Sequence, residues 1–268
     1  MEKDILQQNF AGFLSTPFLW KDSKIYGLEQ FVIKDCNFGN FTKKDTINLR
    51  LGKLVEQFVF HQLRHAPATQ ILAENLQIQD GKRTIGELDA LLMTDIGPVH
   101  LEIIYKFYLY DPDTGVSELE RWIGPNRKDN LLQKLDKLKT KQLPLLHHSK
   151  TQPHLADLNL NSTAIKQQVL FKAQLFLPVD HQKNIFPPLN VECVKGFYIR
   201  MNDVQRFNEG QFYIPAKKDW LMDIQADVHW VDYDDFLIEV RRWTDKQLSP
   251  MCWLKLRGVY SKFFVVWW

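Results

Sequence analysis

The chain has 268 residues, 45% of them hydrophobic and 25% charged, which excludes a chain disordered throughout, a collagen and a coiled-coil array. Its 34 basic and 32 acidic residues leave a net charge of +2, so any site for a polyanion must be local. No apolar run approaches the roughly 18 residues that cross a bilayer. The start Met1-Glu2-Lys3-Asp4 lacks the apolar segment of a secretory signal, and the scattered Cys36, Cys193 and Cys252 form neither a disulfide framework nor a zinc motif. The expectation is a cytoplasmic protein with no membrane partner.

The first part of the chain reads helix, helix, hairpin, helix. Thr42 and Asp45 signal the start of a helix over 47–63, where Leu51, Leu54, Val55, Phe58 and Leu63 recur near a 3.6-residue period. Glu56 lies at the edge of that apolar face. Two runs rich in β-formers follow, 85–93 and 99–110, separated by the turn residues Thr94-Asp95-Ile96-Gly97-Pro98. Alternation puts Glu87 and Asp89 on one side of the first strand, and His100, Glu102, Ile104, Lys106 and Tyr108 on one side of the second. A helix is expected from Asp129 as N-cap, burying Leu131, Leu135 and Leu138 and concentrating lysines, Lys134 among them. The polar stretch 147–161 reads as a linker between a region 1–146 and a mostly β region 162–268. In the latter, strands are expected over 169–177, 194–200, 211–215, 227–233 and 263–268, with a helix over 236–248.

A hairpin centred near Asp95 and Ile96 sets Asp89 across from Glu102. Opposed side chains on one sheet face have Cβ atoms only about 5 Å apart, and like charges there are destabilising. A sequence that keeps such a pair relieves it with a cation or a shared proton. Lys106 supplies one cation on the same face, and a divalent ion such as Mg2+ or Mn2+ suits one or two carboxylates. That is the composition of a metal-dependent phosphodiester hydrolase. Taken singly, Glu56 reads as a surface glutamate and the lysine-rich helix as a solvated face. Their order along the chain is what singles them out.

That order, carried by Gly52-Lys53-Leu54-Val55-Glu56, Gly86-Glu87-Leu88-Asp89 and Leu101-Glu102-Ile103-Ile104-Tyr105-Lys106-Phe107, resembles the core of the PD-(D/E)XK nuclease superfamily over roughly residues 45–145. The superfamily places its lysine two residues after the acid; Ile104 stands there here, and Lys106 lies one pleat repeat (about 6.6 Å) further along. A closer resemblance is to a bacterial family of unknown function assigned to the same superfamily, through Glu102, Lys106-Phe107-Tyr108-Leu109, Trp122-Ile123-Gly124-Pro125-Asn126, Asp129, Leu132, Lys134 and Lys141-Gln142-Leu143.

The resemblance implies an α/β fold with a restriction-endonuclease-like core (helix, antiparallel hairpin, helix, strand) followed by the mostly β region. The expected activity is Mg2+- or Mn2+-dependent cleavage of nucleic acid. Asp89, Glu102 and Glu87 would be metal ligands and Glu56 would complete the site. Lys106 would assist the attacking water, and Lys134 and Gln142 would offer phosphate contacts. The rival expectation is a catalytically inactive nuclease fold acting as a nucleic-acid or protein interaction module.

Overall fold

The computed structural model describes residues 2–21, 24–34, 38–42, 49–181 and 189–268; Asp45 and Cys36 lie outside them. The protein is mixed α/β, with a first helix α1 (Glu2–Ser15) and a nine-stranded mixed sheet of order β1-β2-β3-β5-β6-β9-β8-β7 that carries a short β4 (Trp122–Ile123) on β3. Its chain divides into two compact units, one of residues 18–105 and 134–172, the other of 1–17, 106–133 and 173–268.

The first unit holds α2 (Leu51–His65), β1 (Thr69–Asp80), β2 (Arg83–Thr94) and most of β3 (Gly97–Tyr110). Helix α2 buries Leu54, Val55, Phe58, Val59 and Leu63 at helical spacing and carries Arg64 and His65 in its last turn, where cations suit the helix dipole. The expected hairpin is present, with Thr94 paired to Gly97 and Ala90 to Leu101. Strand β1, which sequence analysis did not find, pairs antiparallel with β2. The consecutive Ile71-Leu72-Ala73 followed by Glu74-Asn75 interrupt the apolar alternation that marks a strand. Leu88 and Leu91 pack with Leu145, Leu146, Leu155 and Ile165. The stretch expected as a linker thus carries α4 (Gln152–Asp157) and contributes Leu155 to a core.

A helical segment follows β4 along the chain in three pieces: α3 (Leu131–Lys137), a π-helical turn Leu138–Gln142 and a tight turn Leu143–His147. Its cap is Asn130 rather than the expected Asp129. Asn130 Oδ1 accepts from Gln133 N at 2.8 Å while Gln133 Oε1 accepts from Asn130 N at 3.2 Å, a reciprocal capping box.

In the second unit the end of β5 (Lys166–Pro178), β6 (Val194–Arg200) and β9 (Val259–Val266) run parallel, and β8 (Met251–Leu256) and β7 (Gln211–Tyr213) extend the sheet antiparallel. The expected strand 227–233 is replaced by a single bridge from Val231 to Phe212. Asp232 accounts for the difference: its side chain caps α5 (Tyr233–Thr244) through Asp235 N, and an acidic first turn follows. Strand β8 was also unforeseen. It turns into β9 at Arg257-Gly258, both with positive φ (49° and 81°), as a two-residue hairpin of the right-handed sheet requires.

Phe236 on α5 stacks on Phe212 with centroids 4.1 Å apart and is fully buried, whereas Ile238 is 58% exposed. Phe236→Ala should therefore cost about 3–5 kcal/mol in urea unfolding and Ile238→Ala close to nothing. Equal costs would mean that α5 presents a different face to the sheet.

Candidate metal centre

Four carboxylates and one ammonium gather on α2, β2 and β3. Glu56 lies three residues after Lys53 on α2, and the Lys53 amine donates to Glu56 Oε2 at 2.7 Å, to Glu87 Oε1 at 2.5 Å and to Asn75 Oδ1 at 3.1 Å. Asn75 has φ 51° in the middle of β1, a left-handed conformation that asparagine tolerates better than most residues. The neighbouring pairs Glu74–Ala90 and Leu76–Leu88 set Asn75 opposite Asp89.

The β2–β3 ladder stops at Ala90 and Leu101. One step further Asp89 and Glu102 face each other, and the side chains take over the backbone's hydrogen bonds. Asp89 Oδ2 accepts from Ile103 N at 2.8 Å, and the Glu102 carboxylate accepts from Asp89 N. Glu102 is fully buried. Its other contacts are His100 Nε2 at 3.1 Å and Gln142 Nε2 at 2.5 Å. Gln167 Nε2 lies 3.1 Å from His100 Nδ1. With a donor at Nδ1, His100 is a neutral imidazole that gives its Nε2 proton to Glu102. Burial agrees, holding the imidazole down to about 4.

Gln142 reaches Glu102 because of the π-helical turn. Eight residues of regular α-helix would leave Lys134 and Gln142 about 80° apart around the axis. The wider turn removes much of that offset, and Lys134 Nζ donates to Gln142 Oε1 at 2.8 Å.

Burial dominates the electrostatics. It pushes the Glu56 carboxyl up to about 7, with Asp89 and Glu87 adding repulsion and Lys53 opposing it. Asp89 is pushed up to about 7 by burial and then by Glu102. Glu102 reaches about 7 through burial, against the pull of Lys134. Burial would lower the Lys53 amine, yet Glu56 and Glu87 hold it above its ordinary value.

Carboxylate oxygens of Glu56, Glu87 and Asp89 lie within 4.8 Å of one another, and the three could hold a metal ion. Ligand oxygens on an ion bound at about 2.0–2.1 Å are at most about 4.2 Å apart, so a small side-chain closure suffices. Glu102, expected as a ligand, stands outside this set with its oxygens engaged as described. Lys106, expected beside Glu102, pairs instead with Asp129 at 2.5 Å. The ammonium in the cluster is Lys53, a residue of the Glu56 motif that was not expected in the site. Its signal was the three-residue spacing to Glu56 on one helix face.

A mixed α/β protein with a half-buried acidic cluster around one lysine is the class these features define. The chain belongs to the family described as Domain of unknown function (DUF1853), whose model matches residues 39–261. No curated protein and no solved structure matches it.

A carboxylate whose pKa is raised on folding contributes stability below its unfolded value, and that contribution is lost as pH rises through the folded value. For Asp89 the window runs from about 4 to about 7. In chelator, Asp89→Asn should melt above wild type at pH 8 by about 2–4 °C for each kcal/mol relieved, with the gain shrinking toward pH 5. A variant that melts lower at pH 8 would show that the Asp89 charge is stabilised in the fold.

Proposed function

We propose that the protein hydrolyses nucleic acid phosphodiesters with Mg2+ or Mn2+ held by Glu56, Glu87 and Asp89. The observation that carries this reading is the approach of those three carboxylates to one another around the Lys53 amine. Hard oxygen donors suit these ions. The element order α2, β1, β2, β3, helical segment, β5, with β5 beside β3, supports a restriction-endonuclease-like core. A bound ion would polarise the phosphate and supply hydroxide from water near neutral pH.

The chain's own residues do the rest. Glu102, fixed by His100 and Gln142, holds β3 and Asp89 N in place behind the cluster. Lys53 is the ammonium placed to meet negative charge developing on the phosphate, the role first expected of Lys106. Glu56 would complete the ligand set from α2. Lys134, linked to Glu102 through Gln142, is a basic group for a neighbouring phosphate. The pairing of Lys106 with Asp129 favours the second reading, an inactive nuclease fold that binds nucleic acid or protein.

Cleavage of labelled single- and double-stranded DNA and RNA with manganese separates the two. Wild type should cleave at least one substrate, and Lys53→Ala should lower kcat on the order of 100-fold with little change in KM. Lys106→Ala should stay within a few-fold of wild type. A collapse in Lys106→Ala alone would return the catalytic role to that residue. Absence of metal-dependent cleavage by wild type on every substrate would leave the interaction module.

A further inference from the structure

A cleft of about 500 Å³ opens in the second unit beside Gly196, between the end of β5 and the starts of β6 and β9. Its size is that of a small-molecule site. Gly196 lets β6 and β9 approach closely at the cleft. A Cβ there would lie 1.9 Å from Lys262 O and 3.2 Å from a Phe176 ring atom, and Gly196 and Lys262 are partners across β6 and β9. Lys262 lines the cleft and is only 6% exposed. Its hydrogen bond among the described residues is a long one, 3.5 Å to Gln174 Oε1. No carboxylate of the described residues comes within ion-pair distance of it. Asp223 acts on it from further off, and Lys195 repels it.

Burial draws the Lys262 amine down to about 8, so most of it still carries its charge at neutral pH. A buried ammonium without a close counter-charge is expensive. An anion entering the cleft would remove that expense. Val194, Phe197, Ile224 and Tyr260 give the same cleft apolar surface for the body of an organic ligand.

We propose that this cleft binds a small organic oxyanion, with Lys262 as its ion-pairing ligand and Lys195 as a second cation. The head group is a phosphate or a carboxylate, and the proposal is independent of the metal-centre reading.

The full chain is titrated calorimetrically with phenyl phosphate and with benzoate. At least one probe should bind saturably at millimolar concentration, the tighter one naming the head group. Lys262→Met should weaken it on the order of tenfold, the value of a lost charged hydrogen bond. Asp223→Asn, an exposed change that removes an anion's competitor, should tighten binding several-fold. No binding of either probe by wild type, or undiminished binding by a folded Lys262→Met, overturns the proposal. If Lys262→Met does not fold, Asp223→Asn decides: unchanged or weaker binding overturns it.

Discussion

Lys53 Nζ sits between Glu56 and Glu87, 2.7 and 2.5 Å from their oxygens, and the arrangement of α2, β1 and β2 around the acidic cluster turns on that position. Three carboxylates within 4.8 Å in a half-buried space repel one another strongly unless a cation or protons intervene. The fold uses both. Lys53 neutralises one edge, and Glu56 and Asp89 are held near 7, where they keep protons far above the ordinary carboxylate range. Asn75 completes the arrangement by adopting a left-handed conformation that places its amide oxygen on the same amine. Such concentrated cost is the pattern of a functional site more than of a stabilising network.

Behind this cluster lies a second layer. Gln167, His100, Glu102, Gln142 and Lys134 form one chain of hydrogen bonds from a buried histidine to a basic side chain on the helical segment. The chain depends on two irregularities, the end of the β2–β3 ladder at Ala90 and the π-helical turn that faces Gln142 toward Glu102. Both replace regular backbone bonding with side-chain bonding at the same place. Glu102 is therefore a held residue, and the carboxylates that approach one another are those of Glu56, Glu87 and Asp89.

Much of this was legible in the sequence where periodicity and turn chemistry agree. Helix α2, the β2–β3 hairpin and the opposition of Asp89 and Glu102 follow from spacing alone, since a two-residue turn fixes the register of everything beyond it. Strand β1 was hidden because the consecutive Ile71-Leu72-Ala73 and then Glu74-Asn75 break the alternation that marks a strand. Strand β8 was hidden behind Arg257-Gly258, whose left-handed turn has a weaker signature than Asn-Gly. A lysine was expected along β3 from the resemblance to the nuclease superfamily. The ammonium in the cluster comes from α2 instead, and a helix-to-strand contact has no fixed sequence spacing by which to find it.

The central claim is that Glu56, Glu87 and Asp89 form a cation site in which Lys53 stands until a metal arrives. Anomalous diffraction from crystals grown with manganese tests it most directly. The account predicts one anomalous peak within bonding distance of all three carboxylates, with the Lys53 amine withdrawn from at least one of Glu56 and Glu87. Crystals at saturating manganese with no peak there, and Lys53 still bonded to both acids, would contradict it.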